Sequence, residues 1–408
     1  MNSKITKTKQ GAELLEFLES YAAEAPVSFH MPGHKGAAFF ERFGYGDFVR
    51  RLPDMDITEI PGADNLHRQE GVLAELAARC AALYGVRASH LLVNGSTAGI
   101  LAAVLTAVPR GGKLICARGS HRSTFSAAAL GGIELVFAEP GTKGDGLFLP
   151  DHCGGAFPKG LGGVVQPEEI ERLARAHPDA SAVILPSPDY FGFCADIAAI
   201  AEITHAAGMT LIVDQAHGAH LKFFAGTKRD RPLSSLSSPL PLPAEEQGAD
   251  LVVDSIHKTL ASFTQSAVLN VCSERADTDA LAENLRRLQS TSPSYLLLAS
   301  LDMNARILAA HGPELFREWA ENLAWFYGAA GALPKLRVVL PQPGYDYTKI
   351  NIDFGRAGLT GEAAQARLIR ECGIYPELCA GSTVMFLTGI GNTRAHYETL
   401  LDALRPFG

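Results

Sequence analysis

Two stretches of this 408-residue chain end in side chains that can do chemistry together. Leu211-Ile212-Val213-Asp214-Gln215-Ala216-His217-Gly218 closes an apolar, β-branched run with a carboxylate and an imidazole. Leu251-Val252-Val253-Asp254-Ser255-Ile256-His257-Lys258-Thr259 closes a second with a hydroxyl, an imidazole and an amine. Each run reads as a buried parallel strand, and open α/β sheets hold their ligands at the carboxyl ends of such strands. An acid that can pair with a pyridinium nitrogen, followed by a lysine that can form a Schiff base, is the side-chain set for pyridoxal 5'-phosphate (PLP). Lys258 in a desolvated pocket would lose part of its ammonium stabilisation and become a nucleophile. Asp214 would keep the pyridine nitrogen protonated, so that the ring accepts electrons from a substrate carbanion. Alone, the lysine reads as a surface residue and Asp214 as a helix cap. Together and in this order they read as one site. His217, three residues past the acid, is placed to hydrogen-bond the cofactor or its carboxylate partner.

Two further strand ends fit the same ligand. Asn94-Gly95-Ser96-Thr97-Ala98-Gly99 follows a strand and opens a helix, so free N–H groups, the hydroxyls of Ser96 and Thr97, and the bare Gly95 make a phosphate cradle. An N-cap would use the same residues, and it is the position ahead of Asp214 and Lys258 that favours the cradle. Arg118-Gly119-Ser120-His121-Arg122-Ser123 also lies at a strand end, and His121 is the candidate to stack on the pyridine face.

The elements that must position these groups alternate. Helices are expected at about Ala12–Tyr21, Gln69–Tyr84, from Ser96, Ser123–Leu130, Glu168–Ala176 and Ile197–Ala207. Strands are expected at His90–Val93, Lys113–Ala117, Glu134–Ala138, Ala182–Pro186, Thr210–Asp214 and Leu251–Asp254. That rhythm predicts an α/β fold with a mostly parallel sheet between helices. Phe29–His67 reads as irregular, while Gly141–Gly163 and Lys228–Gln247 read as surface loops. A long helical region (Thr278–Ala330) then precedes strands near Leu336–Leu340 and Lys349–Phe354, which suggest a smaller C-terminal α+β domain. The expected division is a 1–60 N-terminal segment, a 61–305 cofactor-binding domain and a 306–408 small domain.

Composition excludes several partners. A net charge of −8 leaves no basic stripe for nucleic acid. The basic Met1–Gln10 is followed by no apolar signal core, and the longest apolar stretch, near Ala98–Val108, is too short for a bilayer. The 7 cysteines (Cys80, Cys116, Cys153, Cys194, Cys272, Cys372, Cys379) are scattered with no C-x-x-C pair, as suits a reducing cytoplasm.

A wider set of motifs carries a family resemblance. Phe29-His30-Met31-Pro32-Gly33-His34-Lys35-Gly36, Asp56-Ile57-Thr58-Glu59, Gly62-Ala63-Asp64-Asn65-Leu66-His67, Asn94-Gly95-Ser96-Thr97, Asp214-Gln215-Ala216-His217-Gly218-Ala219-His220, Ser255-Ile256-His257-Lys258 and Gln289-Ser290-Thr291-Ser292-Pro293-Ser294-Tyr295 occur in that order. The chain thereby resembles, over about Ser28–Ala305, the bacterial Orn/Lys/Arg decarboxylases of fold-type I, the aspartate-aminotransferase-like PLP enzymes, in their short form. The resemblance implies Lys258 as Schiff-base lysine, Asp214 as pyridinium partner, His121 as stacking ring and His217 beside the cofactor. It implies Ser96, Thr97, Ser255 and His257 at the phosphate. Ser290–Ser292 would reach the cofactor of a neighbouring subunit in a homodimer. The implied reaction is α-decarboxylation of arginine, lysine or ornithine to the polyamine-pathway amine and CO2, with Lys258 or His257 returning a proton to Cα. Glu377, in a Gly-Ile-x-x-Glu segment of the family type, would hold the substrate's distal cation, ahead of Asp56, Glu59 and Asp64. An aminotransferase or lyase is the alternative; it would need a clamp on a retained carboxylate, for which Arg394 is the candidate. A PLP-binding protein without turnover is a third reading. The chain departs from the family at Gln215, where Glu is usual. A second departure is Ser187-Pro188-Asp189-Tyr190-Phe191-Gly192, which stands for an Asn-Pro-Thr-Tyr-Tyr-Gly run.

Overall fold

The computed structural model describes residues 13–141, 163–226 and 238–407. The basic start, Cys153, nearly all of the Gly141–Gly163 stretch and about half of Lys228–Gln247 lie outside them. The elements in chain order are α1 (Leu14–Glu24), β1 (Val27–Phe29), α2 (Ala37–Arg42), α3 (Gly46–Arg50), α4 (Val72–Tyr84), β2 (Ala88–Leu92), α5 (Gly95–Ala107), β3 (Lys113–Ala117) and α6 (Arg122–Gly131). Then come β4 (Glu134–Ala138), α7 (Pro167–Ala176), β5 (Ala180–Pro186), α8 (Ile197–Ala206), β6 (Thr210–Asp214), β7 (Leu251–Asp254), α9 (Ile256–Thr259), β8 (Ala267–Val271), α10 (Thr278–Leu288) and α11 (Tyr295–Ala330). The rest are β9 (Arg337–Val338), β10 (Lys349–Asp353), α12 (Gly361–Cys372), β11 (Ile374–Pro376), β12 (Leu378–Ala380), β13 (Thr383–Leu387) and α13 (Arg394–Leu404).

The central sheet has the order β2-β8-β7-β6-β5-β3-β4. Strands β4, β3, β5, β6 and β7 run parallel, and β8 lies antiparallel between β7 and β2. The apolar runs alternate between two buried faces, as a sheet covered on both sides requires. Ile184, Ile212 and Val253 pack with α5 and its neighbours, whereas Val183, Val213 and Val252 join the larger core on the other face. Helix α5 (Gly95–Ala107) is apolar on every side, which suits an element wedged between the sheet, α6 and α10. The register sets Asp214 opposite Pro186 on one side and Val253 on the other, so the carboxyl ends of β5, β6 and β7 finish together.

Three differences from the sequence reading have local causes. The stretch expected to be irregular holds α2 and α3, whose Phe39 and Phe40 are buried. The long helical region is two helices, broken at Gln289–Ser294. Strand β8 is a short run without polar alternation, which periodicity alone cannot tell from a buried helical turn.

The C-terminal layer is an antiparallel sheet of order β12-β13-β10-β9, and β1 pairs in parallel with β11 beside it. The boundary expected after residue 305 falls inside α11, which serves both layers. Asn304 and Ser300 accept the Ala261 and Phe263 N–H groups at 3.0 Å each, and Trp319 donates to Thr388 at 3.0 Å. Among the described residues no helix is long and apolar enough to cross a membrane.

Backbone meets backbone where these layers join. Gly33 N donates to His257 O at 2.7 Å, Gly391 N to Gly33 O at 3.0 Å, and Ile390 N to Thr259 O at 2.9 Å. A Cβ on Gly33 would lie 2.3 Å from the Thr259 carbonyl carbon, and one on Gly391 would lie 2.2 Å from His34 O. No side chain fits at either place. Gly33→Ala should therefore destabilise the fold by about 3 kcal/mol, the upper end of overpacking costs, because main chain cannot rotate away. Thermal or urea unfolding of the variant measures it, and a loss under about 1 kcal/mol would contradict the packing described.

Candidate active site

Strand β7 hands directly to a single helical turn. Ser255 stands at the N-terminal end of α9 (Ile256–Thr259) without a side-chain bond to it, and Lys258 N donates back to Ser255 O at 3.2 Å, so the lysine leaves the sheet within four residues of Asp254. Its Nζ lies 2.9 Å from His217 Nε2. Burial lowers the Lys258 pKa, the Asp214 and Glu377 carboxylates oppose that, and Lys349 adds to it. His217 is pushed well below the ordinary histidine range, by burial first and then by Lys258 and Lys349. A neutral imidazole facing an amine accepts through Nε2 and so carries its proton on Nδ1. That Nδ1 is buried and has no partner. Asp214 ends β6 with its side chain buried, and Oδ1 accepts from Ala216 N at 3.1 Å.

The loop expected to cradle a phosphate opens α5. Gly95 begins α5 at φ +73°, a conformation that suits glycine, and Asn94 makes no side-chain cap to the helix. The first N–H groups of α5 are thus left for another acceptor, beside the hydroxyls of Ser96 and Thr97. Ser255 Oγ is fully buried and without a partner. The uncapped helix end, this hydroxyl and the His217 nitrogen are the donors a phosphorylated pyridine ring requires, and the residues present fit PLP.

The other expected residues divide. His121 stands exposed at the start of α6, its Nδ1 held by Ser123 Oγ at 2.8 Å. Burial lowers its pKa, and Asp214 and Lys258 are the next charges it feels. It therefore flanks the same pair. His257 Nδ1 donates to Ser266 O at 2.9 Å, burial brings its pKa to about 4, and the ring is among the groups acting on His217. Ser290 is exposed, with its N–H bonded to Asn94 Oδ1 at 3.1 Å and its carbonyl to His67 at 2.8 Å, and so sits beside its own chain's cradle. Glu377 is held at both oxygens, Oε1 by the Tyr190 hydroxyl at 2.9 Å and Oε2 by Met31 N at 3.0 Å. The Tyr190 ring lies 4.4 Å from the His217 ring. A continuous line runs from Lys258 through His217 and Tyr190 to Glu377.

Sequence reasoning missed three residues here. Tyr190 was visible only as part of a departing motif. Lys349 lies fully buried in β10, paired to Asp346 and donating to His217 O at 2.8 Å. Gln265 takes a left-handed φ of +87°, and a Cβ on Gly95 would lie 3.8 Å from its carbonyl oxygen. Such a backbone outlier beside a cradle is a mark of a functional loop that no composition reveals.

Gln215 explains its own departure. Its Nε2 donates to Glu245 at 2.9 Å and to Asp254 at 3.0 Å, and its Oε1 accepts from Ala244 N at 2.7 Å. Asn270 bridges the same two carboxylates at 3.1 and 3.0 Å. Burial, and then Glu245, raises the Asp254 pKa well above its ordinary value.

Sheet order, lysine turn and cradle define a PLP-dependent enzyme of fold-type I. The chain belongs to the Orn/Lys/Arg decarboxylase family: the model of that family's major domain matches residues 12–326. An arginine decarboxylase of Halalkalibacterium halodurans is 30% identical over 94% of this chain and 74% of its own. An uncharacterized Bacillus subtilis protein is 36% identical over 73% of this chain, which spans 56% of that relative's length. The lysine decarboxylase of Francisella novicida superposes with a TM-score of 0.69 at 17% identity, covering 92% of this chain and 57% of that one. The chain thus spans a little over half the length of these last two.

The carboxylate pair behind Asp214 predicts a pH-dependent substitution. The folded pKa of Asp254 lies above its unfolded value, so its contribution to stability is complete below about pH 4 and fades as pH rises through the folded value. Gln215→Glu removes the bridging amide and adds a third carboxylate. It should cost at least about 2 kcal/mol at pH 8 and distinctly less at pH 5. Urea unfolding at the two pH values measures this; an equal cost at both would refute the buried pair.

Proposed function

We propose that this protein decarboxylates a basic amino acid, with arginine first, at its α-carbon, yielding the corresponding amine and CO2. The observation that carries this reading is the line Lys258–His217–Tyr190–Glu377, with an amine at one end and a fixed carboxylate at the other. PLP bound at Lys258 would supply the electron sink for the carbanion left when CO2 departs. Asp214 would hold the ring nitrogen protonated, and His121 would cover one ring face. The first turn of α5, Ser96, Thr97 and Ser255 would bind the phosphate, and His217 would keep the Lys258 amine oriented. Lys258 is favoured over His257 for returning the proton to Cα, since Lys258 is the amine proposed to carry the cofactor and burial lowers its pKa, whereas His257 is bonded through Nδ1 to Ser266.

Glu377 supports the choice of a cationic substrate and of arginine within that class. Each oxygen already accepts one hydrogen bond, which fixes the carboxylate plane, and each keeps a lone pair free. Two parallel acceptors suit a guanidinium fork better than an ammonium point charge. The relative named as an arginine decarboxylase supports the same choice. Arg394 favours no rival. The charges acting on Lys258 are Asp214, Glu377 and Lys349, whereas Arg394 packs over Trp325 at 4.6 Å.

Two copies are proposed to pair through the face bearing Ser290–Ser292. Those residues are exposed beside the cradle, and the apolar Ile57, Ile60 and Val72 are exposed nearby in sequence to His67, which holds that segment. We assign the protein to the cytoplasm on the free thiols of Cys80, Cys116, Cys194, Cys272, Cys372 and Cys379.

A panel of amino acids assayed for CO2 release and amine product tests the activity, with arginine expected to lead. Lys258→Ala should abolish turnover, and borohydride reduction followed by peptide mapping should label Lys258. A label on another lysine sinks the assignment. Glu377→Gln should raise KM for arginine about ten- to a hundredfold, the worth of a hydrogen bond to a charged group, with a much smaller change in kcat. An unchanged KM would remove Glu377 from substrate recognition.

A further inference from the structure

Lys349 is a lysine side chain with no solvent exposure, on a strand of the C-terminal layer, and the reaction as described gives it no task. Its ammonium pairs with the equally buried Asp346 and donates to His217 O at 2.8 Å. The Asp346 carboxylate is itself saturated with donors: Oδ1 takes the Thr348 hydroxyl at 2.6 Å, Thr348 N at 3.2 Å and His220 Nε2 at 3.2 Å. His220 continues to Thr259 Oγ1 at 3.2 Å, next in sequence to Lys258. One buried network therefore grips both polypeptide segments that meet at the Lys258–His217 contact. Burying an ion pair costs about as much as its attraction returns, so an apolar pair of the same shape would hold these layers equally well. A charge kept there acts on its surroundings.

We propose that Lys349 is a positioning residue of the active site, fixing the His217 main chain and setting a permanent positive charge behind the Lys258 amine. The groups facing Lys258 are Asp214, Glu377, Lys349 and His217; both carboxylates favour its charged form, and Lys349 opposes them. Asp346 turns its oxygens to Lys349, Thr348 and His220, while the Lys349 ammonium also reaches the His217 carbonyl, so the cation is the member of the pair directed at this contact. Lys349 also helps to keep His217 uncharged, and a neutral ring is what accepts from Lys258. The result is an amine kept poised to lose its proton between two acidic side chains.

This inference rests on PLP being carried by Lys258, and the test separates the two. Full-length holoenzyme is titrated while the cofactor's visible absorbance, which reports protonation at the Lys258 nitrogen, is followed. Removing the cation in Lys349→Met should raise the midpoint by about half to one pH unit, whereas Lys349→Arg should leave it in place. Lys349→Met combined with Asp346→Asn leaves no unpaired buried charge and carries the same upward expectation, so a single variant that fails to fold does not decide the matter. Absence of a visible band in the unsubstituted protein would defeat the cofactor reading itself. A normal band with an unmoved midpoint in either folded neutral variant, or an equal shift in Lys349→Arg, would overturn the role of Lys349 alone.

Discussion

Everything at this site hangs from a place where main chain touches main chain. The turn that carries Lys258 is clasped between Gly33 on one side and the Gly389–Gly391 segment on the other, with hydrogen bonds to His257 O and Thr259 O. Side chains can change rotamer, but a contact between backbones has no such freedom. The lysine is therefore delivered by a rigid junction of three distant stretches of sequence. This accounts for a glycine-rich motif near the beginning of the chain that supplies no reacting group.

The electrostatics follow from that burial. Within a few residues of the strand ends the fold packs Asp214, Asp254, Glu245, Asp346, Lys258 and Lys349, and it manages them in three ways. Lys349 and Asp346 form a buried ion pair whose cation also reaches the His217 carbonyl. Glu245 and Asp254 are bridged by the amides of Gln215 and Asn270, with Asp254 held towards its protonated form. Asp214 and Lys258 each make one bond within the protein, to Ala216 N and to His217 Nε2, and keep further bonding capacity for a ligand, which is how a polar site differs from a polar core.

The candidate site residues were legible in the sequence because each lies in a local pattern. Asp214, Lys258 and the Asn94–Thr97 loop each close a strand, and strand ends can be read from apolar runs followed by polar residues. Ser255 and His217 came with them, a few positions away. For His257 the sequence shows the neighbours but not the bond through Nδ1 to Ser266 O, since a rotamer is decided by packing that a one-dimensional pattern does not contain. Lys349 and Tyr190 were invisible for a different reason. Their meaning lies in contacts more than a hundred residues away along the chain, His217 for the one and Glu377 for the other. The parallel sheet was legible from its alternation of elements. Strand β8, which lacks alternation, and the short strand β1, whose partner lies near the other end of the chain, were not.

The pairing of β1 with β11 has an evolutionary corollary. Val27 to Phe29 lie in register with Ile374 to Pro376, and the next residues along each strand bring Met31 N to the Glu377 carboxylate. The pocket wall that would read a substrate's far end is thus a joint property of two stretches more than three hundred residues apart. Recombination that exchanged only the distal half between relatives would import a carboxylate without the backbone donor that aims it. Specificity in such a scaffold drifts by paired changes, and chimeras keep it when both ends travel together.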